Sequence, residues 1–278
     1  MTTLQHRRLS NDSLNDFVQP LDLEPFVFSG EHRLRIAENF RRIPSVEHRR
    51  LTAWDVEVGA ARGTAFAWTP ANARRVIGNA GLRRVVSDRA PTCLIGIHDE
   101  VDELLLRAAT GYARPGSLPH WLSSLHHAAR GLVIAEAMTW ASVALDALRD
   151  IAEPWLVPET DAYYDVAAAR TSLRGRRDVI VASSNQQRIV VRIRSGLPTK
   201  SSGTGLRSDL AIDGLARPDG AVAQRIVGLW PDAGLVMAVD GTEINVRAGV
   251  RSLVRAAVAQ QRKSHREVAR TERSAEAH

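Results

Sequence analysis

The chain has 278 residues, of which 44% are hydrophobic and 24% charged, and its formal net charge is +6. This length is enough for one large domain, or for a core domain with a smaller unit attached. The single cysteine, Cys93, excludes an internal disulfide and a cysteine-ligated metal site. We expect a soluble, cytoplasmic protein without a membrane contact. The N-terminus has no apolar run like a signal peptide, and charges interrupt each apolar stretch before the ~20 residues of a membrane span.

The positive charge is almost all arginine, since Lys200 and Lys263 are the only lysines. A basic excess favours a polyanionic partner, because contacts to phosphate supply most non-specific affinity for nucleic acid. A G+C-rich genome also produces an arginine bias, and a net charge of +6 over the whole chain is modest. Charge alone therefore leaves a nucleic-acid partner and the absence of one equally open.

Residues 1–50 mix charged, polar and scattered aromatic residues, which predicts a weakly ordered N-terminal extension with one short helix from Gly30 to Arg42. The alternation in Leu51–Val58 predicts a first strand, and residues 64–68 predict a second. We expect these strands to open a mainly helical half that spans residues 51–160.

Thr69-Pro70 is a helix start, with an N-cap followed by proline at the first helical position. The helix that follows carries two arginine pairs, Arg74-Arg75 and Arg83-Arg84, nine positions apart. Nine residues make two and a half turns, so the pairs lie on roughly opposite sides of one continuous helix. If the two glycines between the pairs form a turn instead, the segment is a candidate helix-turn-helix unit.

Two more helices complete this half. Asp99–Ala109 has a capping residue and an acidic first turn, as expected at a helix N-terminus. The longest helix, about 118–149, has apolar residues at helical spacing and is expected to pack on the core. Pro154 and Pro158 end the helical half.

From Tyr163 onward the pattern changes to strands, and residues 161–262 are predicted to form an α/β core. Leu173–Ala182 and Gln187–Arg194 are predicted strands joined by a polar hairpin connection. Two more strands follow, Ile226–Trp230 and Leu235–Val239, joined by a turn with the sequence PDAG.

Two helices are predicted in this core, over Leu206–Ala216 and Val246–Gln261. The polar tail, residues 263–278, is expected to fray from the second helix. The predicted fold class is α/β: a mainly helical half is followed by a mixed sheet flanked by helices.

The string LRGRRDVIV, which contains Asp178, and the later string IVVRIRSG resemble the core of the PD-(D/E)XK nucleases, specifically the RecB-type exonuclease branch. The order helix, strand, strand adds to this likeness, which covers about Trp121–Gln261. In that branch the first strand ends in a glycine-x-aspartate-type motif, and the second carries acid-x-lysine-threonine-glycine. The resemblance implies a mixed sheet flanked by helices and a nuclease site that holds Mg²⁺.

The resemblance assigns roles to four acidic residues. Asp178 matches the family's first metal-binding aspartate. Glu136, on the long helix, matches the acidic residue that some members supply from the preceding helix. Asp209 and Asp213 replace the glutamine and tyrosine that RecB-type members carry four residues apart on the following helix.

The second strand departs from the family's pattern. Arg192 stands where the second acid is expected, Arg194 stands where the lysine is expected, and Ser195-Gly196 replaces threonine-glycine. Mg²⁺ is held by carboxylate oxygens, so Arg192 removes a ligand and adds a positive charge beside the metal position. We therefore expect neither a bound cofactor nor metal-dependent cleavage at this site. The two arginines can still grip a phosphate backbone bidentately.

Each of these residues also has a purely structural interpretation. Asp178 can be an ordinary strand residue in a salt bridge with Arg176-Arg177. Arg192 and Arg194 can form a solvated strand face opposite the apolar one. Glu136, on an apolar helix, needs a partner and can belong to a structural ion pair.

The leading hypothesis is a catalytically degenerate nuclease-fold protein that binds nucleic acid or a partner protein without cleaving. Its nucleic-acid contacts are Arg176-Arg177, Arg192 and Arg194. Asp178 and Glu136 are then the remnant of a catalytic site.

Two alternatives remain open. The chain can be an active Mg²⁺-dependent DNA exonuclease or endonuclease whose ligands have migrated to Glu136, Asp178 and either Asp209 or Asp213. It can also be a structural or regulatory interaction protein that binds through its helical half, which predicts an exposed apolar patch there.

Overall fold

The structure, a computed structural model, describes residues 4–8, 16–19, 21–45, 48–58, 67–86, 90, 92–149, 155–156, 162–166, 169–182, 188–194 and 196–276. Several predicted features lie outside these residues, namely positions 64–66 of the second strand, the hairpin connection 183–187, Ser195, Pro154 and Pro158. The described chain is an α/β fold with two mixed sheets and flanking helices, which confirms the predicted class.

The helices are α1 (Gly30–Arg41), α2 (Ala53–Val58), α3 (Pro70–Val86), α4 (Cys93–Ala109), α5 (Leu118–Ser124), α6 (His127–Arg149), α7 (Ser202–Leu215) and α8 (Glu243–Glu276). The strands are β1 (Leu4–Arg8), β2 (Arg49–Thr52), β3 (Trp155–Leu156), β4 (Ala162–Val166), β5 (Thr171–Gly175), β6 (Val179–Ala182), β7 (Arg188–Ile193), β8 (Arg225–Trp230) and β9 (Leu235–Asp240).

The larger sheet has the strand order β1-β9-β8-β7-β6-β3. β6 and β7 form the predicted antiparallel hairpin, with Ile180 opposite Val190. α7 connects β7 to β8, and these two strands are parallel, with Val191 opposite Val227. The smaller sheet has the order β2-β5-β4, in which β2 and β5 are parallel and β4 is antiparallel to β5.

Two apolar clusters share the residues of the larger sheet, because successive side chains on a strand point to opposite faces. Ile189, Val191 and Ile193 of β7 belong to the cluster formed with α3 to α6, which is the helical half. Val190 belongs to the other cluster, formed with α1, α7, α8 and the smaller sheet. The helical half therefore packs on the strands of the larger sheet.

The prediction of a strand over Leu51–Val58 is wrong in its second part. β2 ends at Thr52, and α2 begins at the next residue. Asp55 accepts hydrogen bonds from the Thr52 backbone N–H at 2.8 Å and from its hydroxyl at 2.6 Å, and its own N–H donates to the hydroxyl at 3.3 Å. This reciprocal capping starts a helix where alternation alone favoured a strand.

Leu173–Ala182 is not one strand. β5 ends at Gly175 in the smaller sheet, and β6 begins at Val179 in the larger sheet. The three residues between them carry the chain from one sheet to the other. Ile212 of α7 lies 3.1 Å from the position that a Cβ on Gly175 would take, so the crossing passes close against this helix.

The predicted long helix is two helices. Leu125 has an extended backbone, with ψ 139°, which ends α5. The Nδ1 atom of His126 accepts a hydrogen bond from the Ala128 backbone N–H at 3.0 Å at the start of α6. By contrast, α3 is continuous over Pro70–Val86, so the glycines do not form the turn of a helix-turn-helix unit.

The two ends of the chain also differ from prediction. In the described part of residues 1–50, β1 pairs with β9 and forms an edge of the larger sheet, and Phe17, Phe28 and Phe40 are buried. These contacts join distant parts of the chain, so they leave no periodic signal. The predicted frayed tail continues α8 as far as Glu276, in a segment rich in good helix-forming residues.

One helix, His127–Leu148, is long and apolar enough to cross a membrane by length and composition, with a mean hydropathy of 1.4. No stretch was expected to reach this limit. Ala137, Trp140 and Ala144 of this helix are buried in the core cluster of the helical half. A core helix of an α/β domain has the same properties.

Candidate functional site

Asp178 lies where the chain enters β6, and its side chain is only 2% exposed. Its Oδ1 atom accepts hydrogen bonds from Arg176 Nε at 2.9 Å and from Arg83 Nη2 at 3.3 Å. Its Oδ2 atom accepts one from the Ile193 backbone N–H at 2.9 Å. Burial acts to raise the pKa of Asp178, but Arg176, Arg192 and Arg83 with this N–H hold it below its usual value. Asp178 is a charged, fully paired carboxylate.

Arg192 of β7 lies between two buried aspartates. Its Nε atom is 3.4 Å from Asp209 Oδ2 and 4.0 Å from Asp178 Oδ2, and its Nη1 donates to the Arg176 carbonyl. The side chain is 11% exposed, so the solvated strand face that is one interpretation of Arg192 does not exist. α7 covers this face of the sheet and carries Asp209. The guanidinium of Arg192 therefore lies between the carboxyl groups of Asp209 and Asp178.

Asp209 of α7 is buried beside Arg192. Burial raises the pKa of Asp209 above its usual value, although Arg192 and Arg194 act in the opposite direction. Its Oδ2 atom and the Arg192 Nε atom are in ion contact, yet neither has a hydrogen-bond partner among the described residues. Buried polar atoms without a partner are uncommon. Burial therefore favours the protonated form of Asp209 more than is usual for an aspartate.

Arg194, just after β7, forms a second buried ion pair with Glu57 of α2. The Arg194 side chain is 9% exposed, and its guanidinium carbon lies 5.5 Å from the Trp230 ring centroid. Burial raises the pKa of Glu57 above its usual value, and Arg194 opposes this. Glu57 lies against α7 at Gly205, where a Cβ would be 1.7 Å from its Oε1 atom.

Three further arginines lie at the outer side of these ion pairs. Arg83 and Arg176 have side chains 34% and 26% exposed, and both contact Asp178. Arg75 of α3 is half-buried, and no described residue forms a hydrogen bond or ion pair with it. Burial, and then Arg176, lowers the pKa of Arg75 to about 10. We call Arg75, Arg83 and Arg176 the outer arginines.

Among the described residues, the ion cluster contains more positive than negative charge. The outer arginines with Arg192 and Arg194 supply five guanidinium groups, and Glu57, Asp178 and Asp209 supply three carboxyl groups. An excess of buried or half-buried positive charge costs free energy unless an anion approaches. The arrangement can therefore bind an anion at the outer arginines.

Glu136 does not join this cluster. Its Oε2 atom lies 3.8 Å from Arg74 Nη1, and Arg74 also donates to Asp232 at 2.9 Å. Asp232 in turn accepts a hydrogen bond from the Gly196 backbone N–H at 2.7 Å. This chain of contacts matches the structural interpretation of Glu136.

Asp213 and Arg177 belong to a different ion cluster. Asp213 accepts hydrogen bonds from Arg177 Nε at 2.8 Å, from Arg188, and from the Ala223 backbone N–H at 3.2 Å. The Arg177 side chain is 11% exposed. Arg177 is thus paired away from Asp178, and Asp213 already has its own partners.

The four carboxylates of the migrated metal site do not converge. Glu136 and Asp213 have separate partners, and Arg192 lies between Asp178 and Asp209. In the described part of the chain, no group of three or more His, Cys, Asp or Glu residues could hold a metal ion. These residues do not fit a Mg²⁺ site, since its ligands are several oxygens around one point.

Sequence analysis missed Glu57, Arg75 and Arg83. Glu57 follows Thr52-x-x-Asp55, which is a readable capping signature for a short helix. The two arginine pairs of α3 were predicted on opposite sides, but Arg75 and Arg83 are eight residues apart, which is only about 80° around a helix. Both contribute to the same ion cluster. Arg84 instead pairs with Glu100 and Glu103.

Comparisons with known proteins give no family for this chain. No family model matches the sequence, and no curated protein matches it. A solved structure described as "Crystal structure of SSO0001" is similar with a TM-score of 0.31 and 15% sequence identity, over 80% of this chain and 84% of that chain. This value is too low to support an argument about fold or function.

Proposed function

We propose that this protein binds the phosphate groups of a nucleic acid at the outer arginines and does not cleave it with a metal ion. The observation that carries this proposal is Arg75, a half-buried guanidinium without an ion-pair partner among the described residues, next to further positive charge. Arg75, Arg83 and Arg176 all retain accessible surface. Guanidinium groups bind phosphate oxygens through charge-assisted hydrogen bonds.

The buried part of the cluster explains why the outer arginines keep their positions. Asp178 holds Arg83 and Arg176 from one side through hydrogen bonds, and the Ile193 N–H fixes Asp178 itself. Arg192 and Arg194, the contacts that the sequence favoured, are 11% and 9% exposed and lie beneath this layer. We therefore assign a positioning role to Arg192 and Arg194. The three outer arginines form the accessible contact surface.

The place of Arg192 supports the proposed absence of metal-dependent cleavage. Its guanidinium lies between Asp178 and Asp209, where a divalent cation would need oxygen ligands and no adjacent positive charge. The connection of β6, β7, α7 and β8 is consistent with a PD-(D/E)XK-like core, so a degenerate nuclease fold is part of the proposal. We place the function in the cytoplasm, where a lone thiol such as Cys93 stays reduced.

The test measures binding of labelled single- and double-stranded DNA over a range of salt concentrations, with and without Mg²⁺. The variant Arg75→Gln/Arg83→Gln removes two phosphate contacts, so the slope of log K against log salt should fall by roughly 2. The matched control is Arg35→Gln/Arg42→Gln, since both arginines are exposed and paired with glutamates one turn away. The control should leave affinity and slope nearly unchanged.

Three results would contradict parts of the proposal. Equal losses in the two double variants would show that binding follows net charge and not the outer arginines. Unchanged binding by Arg75→Gln/Arg83→Gln would show that the outer arginines are not the binding site. Mg²⁺-dependent cleavage that disappears in Asp178→Ala would show that a metal does bind here and that the site is active.

A second candidate function rests on a different surface. α4 and α6 enclose a groove of about 470 Å³ whose lining is largely apolar. Its apolar residues include Val101, Leu105, Ile134, Ala135 and Met138. Apolar surface of this kind favours a protein contact, as the interaction hypothesis predicted for the helical half.

Gly131 offers a direct test of this groove. It lines the groove, and no atom lies within 4 Å of the position of an added Cβ. Gly131→Lys introduces a charge into the groove, and its Cβ meets no atom. Gly131→Ala adds the same Cβ without the charge. If the groove joins two copies of the chain, sedimentation velocity should show concentration-dependent self-association that Gly131→Lys abolishes and Gly131→Ala preserves. If the protein is monomeric at all concentrations, the groove does not serve self-association.

A further inference from the structure

α8 is a single helix of 34 residues, which corresponds to a length of about 51 Å. Its first half packs on the domain, with Leu253, Ala256 and Ala257 buried. Val258 is the last residue of α8 that packs against the core cluster, among the side chains that the structure describes. The helix continues from Val258 to Glu276.

The positive charge of the protein is concentrated on this helix. Residues 251–273 contain seven arginine or lysine residues and two glutamates, in a chain whose net charge is +6. The rest of the sequence is therefore close to neutral. A local excess of this kind produces a positive field around one end of the molecule.

Arg251, Arg255 and Arg262 are exposed and lie on one face of α8, because they are spaced by four and seven residues. No carboxylate in the described part of the chain forms an ion pair with any of the three. Arg247, one turn earlier, does pair with Glu243. The exposed face that carries the three arginines thus begins along the packed part of α8 and continues past Val258.

We infer that this face of α8 is a second nucleic-acid contact, and that it binds the phosphate backbone of a duplex. Backbone binding needs a row of positive charges and no apolar anchor, since phosphate contacts supply non-specific affinity. A membrane-surface helix needs an apolar face with large side chains, and after Val258 the largest apolar residue in α8 is Val268. The same lack of aromatic and large aliphatic residues disfavours a protein interface, whose affinity comes from such anchors.

This contact is separate from the outer arginines, because its residues lie on α8 and none of them belongs to the ion cluster. It adds a surface that follows the duplex over several phosphates, whereas the outer arginines form a compact site. A straight helix of about 51 Å suits a straight partner of comparable length. The inference stands whether or not the outer arginines bind nucleic acid.

The experiment uses the full chain and a mixed-sequence duplex DNA of about 30 base pairs, which is longer than the helix at about 3.4 Å per base pair. The variant is Arg251→Gln/Arg255→Gln/Arg262→Gln, which keeps good helix-forming residues at three exposed positions. The slope of log K against log salt should fall by about 2.7, since each phosphate contact contributes about 0.9. Affinity at low salt should fall by at least about tenfold.

The matched control is Arg35→Gln/Arg42→Gln/Arg107→Gln, which removes the same charge from exposed arginines that pair with glutamates. An equal loss of affinity in both triple variants would overturn the inference, because only net charge would matter. Circular dichroism of the α8 variant, with a spectrum equal to that of the unsubstituted protein, separates a loss of binding from a loss of structure.

Two comparisons separate this inference from the proposed function. If the α8 variant alone lowers binding and Arg75→Gln/Arg83→Gln does not, the α8 contact stands and the outer arginines lose their role. The reverse result overturns the α8 contact only. Binding to phosphatidylserine vesicles with no binding to the duplex would overturn the inference in favour of a lipid surface.

Discussion

The Nε atom of Arg192 lies 3.4 Å from the Oδ2 atom of Asp209, and both atoms are buried without a hydrogen-bond partner among the described residues. The contact joins β7 to the helix that covers the sheet. It explains two properties of the protein at once. It places a guanidinium between the carboxyl groups of Asp178 and Asp209, and it leaves Asp209 with a raised pKa because burial exceeds the attraction of the arginine.

The first prediction concerns the strength of this contact. Arg192→Met leaves Asp209 buried without its cation, and Asp209→Leu leaves Arg192 with only Asp178. Removing one partner of a buried pair costs about 3–5 kcal/mol, so each single variant should be strongly destabilised. The double variant should lose less than the sum of the two, by about 1–3 kcal/mol. Urea unfolding of the four proteins gives this coupling free energy.

The exposed pair Arg35 and Glu31 on α1 provides the control cycle, because both side chains are mostly exposed. Its coupling should stay below about 0.5 kcal/mol. Additive effects in the Arg192 and Asp209 cycle would show that the two residues do not interact in solution.

The second prediction concerns Gly205 of α7. A Cβ at this position would lie 1.7 Å from the Glu57 Oε1 atom, so Gly205→Ala must displace the carboxylate from its buried pair with Arg194. Overpacking of this kind should cost about 1–3 kcal/mol in the free energy of unfolding. Thermal or urea unfolding measures the change.

Gly131→Ala in α6 is the comparison, because nothing lies within 4 Å of its added Cβ. Alanine is the better helix former, so this variant should gain about 0.5–1 kcal/mol. A neutral or stabilising Gly205→Ala would mean that Glu57 does not lie against α7.

The elements that were predicted correctly have local signals. α3 begins at a threonine-proline start, and the β6–β7 hairpin has two arms rich in β-branched residues on either side of a polar connection. β2 and β5 pair across 122 positions, as in Arg49 with Thr171. A single sequence contains no trace of such a pairing, and the separate smaller sheet was therefore not foreseen.

The ion cluster was only partly predictable for the same reason. Asp178, Arg176 and Arg192 lie near one another in sequence, and their proximity followed from the hairpin. Glu57 and Arg194 are 137 positions apart, and Arg83 and Asp178 are 95 apart. Burial also depends on what covers a strand, so alternation could not show that α7 would exclude solvent from Arg192.

The third prediction concerns the lone thiol. Cys93 is 7% exposed, and burial, with a smaller effect of Asp146, raises the pKa of its thiol. Since the thiolate is the reactive form, labelling by a disulfide reagent near neutral pH should be slow in the folded protein. In denaturant one thiol per chain should react at once. Fast labelling of the folded protein would show that the N-terminus of α4 opens readily.

The fourth prediction concerns the pH dependence of stability. In the folded protein the pKa of Asp178 lies below its ordinary value of 3.8. Asp178 therefore stabilises the folded protein above pH 3.8, and this stabilisation is lost as the pH falls through the folded pKa. The folded pKa of Asp209 lies above 3.8. Asp209 therefore stabilises the folded protein below pH 3.8, and this stabilisation is lost as the pH rises through the folded pKa.

The two asparagine variants should consequently respond to pH in opposite directions. From about pH 7 down to about pH 3, the deficit of Asp178→Asn relative to the unsubstituted protein should shrink, because the unsubstituted protein loses its own Asp178 contribution. Over the same range the free energy of unfolding of Asp209→Asn should fall relative to that of the unsubstituted protein, because protonation of Asp209 stabilises the unsubstituted protein. Urea unfolding across this range measures both differences. Parallel changes in the two variants would show that Arg192 holds both aspartates charged.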